Sequence, residues 1–256
     1  MHSEGSAQCS EEFASLNEDS MQHDEDFIDT MKLNVRLHPQ GEYADVLQEI
    51  SEMRLYFEKE YRCHLSERWH LSLSEDSFIN QAGFFLEEKI VNAVLPFWYG
   101  TQWDFNGITD TPGTGYIACG YLVSTVLKHC GFNLNRYTMA QQSAWNEART
   151  LQMSDKVKYF EGDYENFAQA FKQVYGDGLY LVGMDYHVGL LLLRKGELLF
   201  IHSSYIPPAE AVMEKIALSP AFHATQGYHI AEITTNLKLM KKWILGEKVE
   251  VRKDNP

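Results

Sequence analysis

Apolar side chains recur at intervals of three and four residues along six stretches of the chain, a pattern typical of helices that bury one face. The stretches are residues 42–61, 76–95, 119–130, 140–151, 164–175 and 237–245. The second should end before Pro96, because proline disfavours a helical conformation in the residue that precedes it. Gly131 follows the third, where glycine commonly ends a helix.

Shorter apolar runs bounded by turn residues predict strands in the second half of the chain. They cover residues 179–184, two arms around Lys195-Gly196, and residues 228–234. Helices followed by consecutive strands predict an α+β fold, with an antiparallel sheet packed on the helix that begins at Cys119. We expect a leader over residues 1–30, an N-terminal helical extension over 31–95 and a main domain over 96–256.

A histidine stands on each arm of the predicted hairpin, His187 on the first and His202 on the second. If Lys195 and Gly196 form a two-residue turn, Arg194 faces Glu197 and both histidines lie on one face of the sheet. They are then diagonal neighbours, about 7–8 Å apart at the backbone and within reach of each other's rings. A three-residue loop would place them on opposite faces.

Cys119 begins a predicted helix after a glycine-rich loop. Unpaired N–H groups and the positive end of the helix dipole favour a thiolate at such a position. A cysteine at a helix start, a histidine on a strand and a polar residue behind that histidine are the parts of a nucleophile, base and orienter arrangement. The sequence therefore makes Cys119, His187 and His202 the candidate catalytic residues.

These residues resemble the NlpC-type cysteine peptidases of the papain-like superfamily, over roughly residues 96–234. The similarity lies in Cys119 on its helix, His187-Val-Gly before a run of leucines, Phe-Ile-His202-Ser, and residues 99–107, which resemble the family segment Gly-Thr-Pro-Tyr-x-Trp-Gly-Gly. The resemblance implies a papain-like core with Cys119 as nucleophile, His187 as base and His202 as orienter. It also implies hydrolysis of peptide or amide bonds without a metal or organic cofactor, cell-wall peptide stems as the substrate class, and a place in the cell envelope or outside the cell.

The chain departs from that family around the nucleophile. Where the family usually has Asp-Cys-Ser-Gly, this chain reads Ala118-Cys119-Gly120-Tyr121, so the acid and hydroxyl that help bind a peptide's free amine are missing. Trp103 stands where the family has a tyrosine that assists the oxyanion site, and its indole N–H is a donor. The candidate residues for binding the substrate or stabilising the oxyanion are Trp103, Gly120, Tyr99 and Tyr116.

The composition indicates a sizeable hydrophobic core and an acidic N-terminal segment. The 256 residues are 45% apolar, enough for a sizeable core. Nine acidic residues and no Lys or Arg lie in the first thirty positions, so −5 of the formal charge of −14 remains for the rest. That leader is expected to be disordered, with an interaction arm as the alternative. The acidic balance argues against nucleic-acid binding, and no apolar run reaches the roughly 18 residues of a membrane span.

Three alternatives to a hydrolase remain open at this stage. An acyl- or amidotransferase would use the same thioester and exclude water from it. A binding module without catalytic activity would have the same fold, with Cys119 as an unreactive buried core residue. Cys119, His187 and His202 are also a possible set of three zinc ligands. The oligomeric state and the compartment are not defined by these residues.

Overall fold

A computed structural model of the chain describes residues 37–66 and 74–253. Six antiparallel strands form one open sheet in the order β1-β6-β2-β3-β4-β5. The strands are β1 Lys158–Glu161, β2 Gly178–Gly183, β3 Val188–Arg194, β4 Glu197–Ser203, β5 Ala211–Lys215 and β6 Gly227–Glu232. The predicted α+β class with an antiparallel sheet is confirmed. The acidic leader at residues 1–30 lies outside the described residues.

Helices cover both faces of the sheet. The α-helices are α1 Tyr43–Ser66, α2 Glu75–Glu88, α3 Leu95–Trp98, α4 Cys119–His129, α5 Arg136–Ala140, α6 Ala144–Gln152, α7 Tyr164–Val174, α8 Pro220–His223 and α9 Leu237–Leu245. One core contains side chains of α1, α2, α4, α6 and α9, and the other contains those of α7 and α8. Every residue of β2 and β3 is consequently buried, which explains their continuous apolar runs. Within residues 37–66 and 74–253, no helix combines the length and the apolar composition that a bilayer crossing requires.

The hairpin of β3 and β4 has the predicted register. Arg194 pairs with Glu197, and Leu190 pairs with Ile201. Lys195 and Gly196 between the strands have φ values of 51° and 80°, so both adopt the left-handed backbone of a two-residue hairpin turn. Glycine at the second position lowers the strain of this turn.

The loop before α4 is fixed to the rest of the fold by hydrogen bonds. The N–H of Ala118 donates to the carbonyl oxygen of Gly107 over 2.9 Å. Arg136 is buried, and its guanidinium donates to Thr125 Oγ1 on α4 at 2.7 Å and to the carbonyl oxygen of Ile108 at 2.8 Å. These contacts hold the beginning of α4 in place.

The second predicted helix does not stop before Pro96. α2 continues as a π-helix over Lys89–Val94 and then as α3, which includes Pro96. In the π-helix the N–H of Leu95 donates to the carbonyl of Ile90, five residues earlier. The wider turn starts a new helical segment, so Pro96 falls in a first turn where its missing N–H is not needed.

Two helices, α5 and then α6, lie in this part of the chain: α5 ends at Ala140, and only α6 corresponds to the predicted helix over 140–151. Ser143 caps the second by accepting a hydrogen bond from the N–H of Asn146, so that helix begins only at Ala144. Asn135 caps the first in the same way, through the N–H of Thr138. The sequence patterns also did not predict β1 and β5, which are only four and five residues long.

Gly189 provides a test of the hairpin packing. A Cβ there would lie 2.5 Å from Phe200 Cε2 and 2.8 Å from the carbonyl oxygen of Ile201. We expect Gly189→Ala to lower the free energy of unfolding by about 1–3 kcal/mol. Gly176→Ala is the matched control, since a Cβ at Gly176 meets nothing within 4 Å. Urea unfolding measures both, and an equal effect of the two changes would contradict the packing.

Candidate active site

Three side chains form a hydrogen-bonded chain that runs from His187, directly before β3, to residues on β4 and β5. His187 Nε2 lies 2.7 Å from His202 Nδ1, and His202 Nε2 lies 3.1 Å from Glu214 Oε1. His202 is paired with Val212, so Glu214, two residues further along β5, is its diagonal neighbour on the same face. The two histidines meet as the hairpin register predicts. Glu214 was not among the sequence candidates, because β5 itself was not predicted.

This chain of contacts defines the tautomer of each ring. A carboxylate only accepts hydrogen bonds, so His202 carries its proton on Nε2, next to Glu214. The lone pair of His202 Nδ1 then accepts the Nε2 proton of His187. His187 Nδ1 is left without a proton and is the nitrogen that can act as a base.

Burial keeps both imidazoles neutral. His187 is 6% exposed and His202 is 0% exposed. Burial lowers the pKa of His187 well below its usual value, and the neighbouring His202 lowers it further. Burial also lowers the pKa of His202, although the hydrogen bond and charge of Glu214 act in the opposite direction. The resting site therefore holds two uncharged rings next to one carboxylate.

Cys119 is the first residue of α4, as predicted, but its surroundings favour the thiol. Burial is the main cause that raises its pKa, and the carboxyl of Glu147 raises it further. Hydrogen bonds from the backbone N–H groups of Val188, Gly120 and Cys119 itself lower the pKa by less. The backbone N–H groups at the helix start thus lower the thiol pKa, as predicted, but burial raises it by more.

The thiol and the imidazole approach the beginning of β3 from different faces of the sheet. His202 stacks on Phe200 at 4.1 Å between ring centroids, on the face covered by α7. Ser203, the next residue, points to the other face and donates to the carbonyl of Ile117, just before α4. The cysteine contacts Val188, the residue directly after His187.

No hydrogen bond joins the Cys119 thiol to the His187 imidazole in the part of the chain that the structure describes. Unliganded pairs of nucleophile and base are often looser than hydrogen-bond reach and tighten when substrate binds. Cys119 and His187 therefore lie near the same strand end without a direct hydrogen bond between them.

Trp103 belongs to an aromatic edge of this site. The Tyr205 ring lies 5.2 Å from the His187 ring, and the Trp103 ring lies 6.3 Å from Tyr205, measured between centroids. Both residues are partly exposed. They therefore form an accessible aromatic surface beside His187.

The other sequence candidates take separate positions. Gly120 is buried in the first turn of α4, and its backbone N–H lowers the pKa of the neighbouring Cys119 thiol. The Tyr99 hydroxyl donates to Met213 Sδ on β5 over 3.7 Å, and burial raises the pKa of that hydroxyl. Tyr116 is 58% exposed, and its carbonyl accepts from the N–H of Thr109. Of the four, Gly120 directly follows Cys119, and Trp103 is linked to His187 through the Tyr205 ring.

Glu147 on α6 is a further acidic residue of the site that sequence reasoning missed. It is 2% exposed, and burial raises the pKa of its carboxyl well above the usual value. Its Oε2 atom has no hydrogen-bond partner among the described residues. No pattern in the sequence distinguishes it from the other charged residues of an amphipathic helix, because only the packing of α6 brings it to Cys119.

The described residues 37–66 and 74–253 contain no group of three or more His, Cys, Asp or Glu placed to hold a metal ion. The alternative in which Cys119, His187 and His202 share a zinc ion has no support from this geometry. No protein-family model, curated protein or solved structure matches the chain significantly.

Glu147 predicts an unusual dependence of stability on pH. Its folded pKa is raised above the unfolded value near 4.3, so its stability contribution is complete at low pH and is lost as the pH rises through the folded pKa. Glu147→Gln should raise the free energy of unfolding at pH 8 by about 1–3 kcal/mol, the cost of a buried charge without a partner. The gain should disappear below about pH 4.

Urea unfolding at several pH values measures this effect, with the exposed Glu161→Gln on β1 as the control for a lost surface charge. A constant difference between the wild type and Glu147→Gln across pH would show that the carboxyl is not held neutral by burial.

Proposed function

We propose that the protein is a thiol-dependent amide hydrolase in which Cys119 is the nucleophile, His187 the base and His202 the orienter. The observation that carries the proposal is the buried chain His187–His202–Glu214, which leaves one basic nitrogen at the strand end contacted by Cys119. A nucleophile, a base and a group that fixes the base are the parts that covalent acyl transfer requires.

The reaction begins with two neutral partners. His187 Nδ1 takes the thiol proton as the sulfur attacks the amide carbonyl carbon, and the carbonyl oxygen becomes an oxyanion. Under this proposal, the backbone N–H groups of Cys119 and Gly120 at the start of α4 donate to that oxyanion. The positive charge that develops on His187 is stabilised through His202 by the carboxylate of Glu214.

The intermediate then collapses to a thioester. His187 gives its proton to the leaving amine, which departs as the carbon–nitrogen bond breaks. Water next loses a proton to His187 and attacks the thioester, which releases the carboxylic acid and returns the proton to the Cys119 sulfur. The cycle consumes one water and needs no oxidant, reductant or metal.

We further propose that the fold is an NlpC-type papain-like fold. A helix that begins at Cys119 and packs on an antiparallel sheet, with His187 directly before β3 and His202 on the neighbouring β4, supports it. Cell-wall peptide stems are then the first substrates to screen. The aromatic surface of Trp103 and Tyr205 beside His187 offers a binding edge for such a substrate.

The nucleophile can be tested with an activated ester before the natural substrate is known. Incubation with 4-nitrophenyl acetate should acetylate Cys119 selectively, as detected by peptide mass mapping, and should then turn over. His187→Ala should slow the release of nitrophenol by about 10²–10⁴-fold, the usual contribution of a general base. Acetylation at other residues, or an unchanged rate in His187→Ala, would refute the proposed mechanism.

Glu214 gives a second test of the same site. Glu214→Gln removes the charge that stabilises the protonated histidines, so kcat should fall while KM changes little. The fall should be smaller than that of His187→Ala, because His187 itself remains. Glu197→Gln is the matched control, since Glu197 lies at the far end of β4 and is exposed. Equal kcat values for the two glutamine variants would remove Glu214 from the mechanism.

A further inference from the structure

Ser203 connects the strand of the second histidine to the segment that precedes the nucleophile. It is the last residue of β4, directly after His202, and its hydroxyl donates to the carbonyl oxygen of Ile117 over 2.7 Å. Ile117 lies two residues before Cys119, and both Ser203 and Ile117 are fully buried. Water therefore cannot replace this hydrogen bond, and without the hydroxyl the buried carbonyl would lose its partner.

The residue that follows each histidine lies at the nucleophile segment. Val188 follows His187, and its backbone N–H lowers the pKa of the Cys119 thiol, so this N–H lies beside the sulfur. Ser203 follows His202 and bonds to the residue two positions before the cysteine. Because side chains alternate along a strand, β4 can hold the His187 ring from one face of the sheet and the nucleophile segment from the other.

These contacts close a circuit of covalent and hydrogen bonds between the nucleophile and the base. Its members, in order, are Cys119, Val188, His187, His202, Ser203 and Ile117. The Ser203 hydroxyl is the link from β4 to the nucleophile segment. Without it, the strand that holds the His187 imidazole no longer defines where Cys119 lies.

Other hydrogen bonds of the same segment hold it to its own loop. The N–H of Ile117 donates to the carbonyl oxygen of Gln102, and the N–H of Ala118 donates to that of Gly107, each over 2.9 Å. Gln102 and Gly107 both belong to the connection between α3 and α4. These two bonds support the local shape of the loop, whereas the Ser203 bond relates the loop to the histidines.

The distance between the reacting groups makes this relation important for the rate. The Cys119 thiol and the His187 imidazole come from different faces of the sheet and share no hydrogen bond among the described residues. Their separation is therefore defined by the backbone contacts around them. A displacement of reacting atoms by about 1 Å can slow an enzymatic reaction by about 10²-fold.

We infer that Ser203 is a positioning residue that keeps the Cys119 sulfur within reach of His187, so that β4 places the nucleophile as well as the base. The inference rests on the proposed function, because it concerns the same nucleophile and base. The Ser203 hydroxyl acts through the backbone of Ile117 and takes no part in proton transfer.

A double-mutant cycle with 4-nitrophenyl acetate tests this role. Ser203→Ala should slow the acetylation of Cys119 by about tenfold to a hundredfold while KM changes little. In the His187→Ala background the same change should cause no further slowing, because the base that it aligns is gone. A hydroxyl that serves only stability would slow both backgrounds by the same factor, since the effects of independent sites add.

Two further variants separate the hydroxyl from the volume of the side chain. Ser203→Thr keeps the hydroxyl and should keep most of the rate, whereas Ser203→Val has the shape of threonine without the hydroxyl and should lose it. This pair provides the same comparison if Ser203→Ala does not fold, as judged by urea unfolding. Ser219→Ala is the matched control, because Ser219 is also fully buried but its hydroxyl caps α8 by accepting from the N–H of Phe222. It should leave the acetylation rate unchanged.

The outcomes distinguish this inference from the proposed function. If His187→Ala slows acetylation of Cys119 but the variants without the hydroxyl keep the wild-type rate, or slow both backgrounds equally, the positioning role is refuted and the hydrolase proposal stands. If His187→Ala leaves the acetylation rate unchanged, the proposed function fails as well.

Discussion

The register of the β3–β4 hairpin is the constraint on which the candidate site depends. Two residues with left-handed backbone, Lys195 and Gly196, close the hairpin and place both histidines on one face of the sheet. One residue more in this turn would separate the rings, because side chains alternate along a strand. A turn far from the reacting atoms thus decides whether His187 is held in one tautomer. β5 then completes the arrangement by bringing Glu214 to His202.

Burial determines which side chains of the site carry a charge. It lowers the pKa of both histidines and raises that of the Cys119 thiol, so the resting groups are neutral. Charge separation would then occur only as the nucleophile attacks, when Glu214 stabilises the protonated imidazole. Burial also raises the pKa of the Glu147 carboxyl, which packs against Gly120.

Apolar spacing and turn residues predict where Cys119, His187 and His202 lie in the fold. The positions of Glu214 and Glu147 depend on tertiary contacts. The start of the helix at Cys119 and the hairpin register follow from apolar spacing and a two-residue turn. Glu214 could not be predicted, because β5 is a short strand defined by its partner. Glu147 reaches Cys119 only through the packing of α6. The continuation of α2 through Pro96 likewise depends on a π-helical turn that the apolar spacing does not reveal.

The most direct test of the central claim is the pH dependence of alkylation at Cys119, by peptide mass mapping, in the wild type and in His187→Ala. The account predicts that Cys119 reacts faster than a thiol of equal burial because His187 accepts its proton, and that His187→Ala removes this advantage while the rate at Cys63 stays the same. A Cys119 rate and pH profile that do not respond to His187→Ala would contradict the assignment of nucleophile and base.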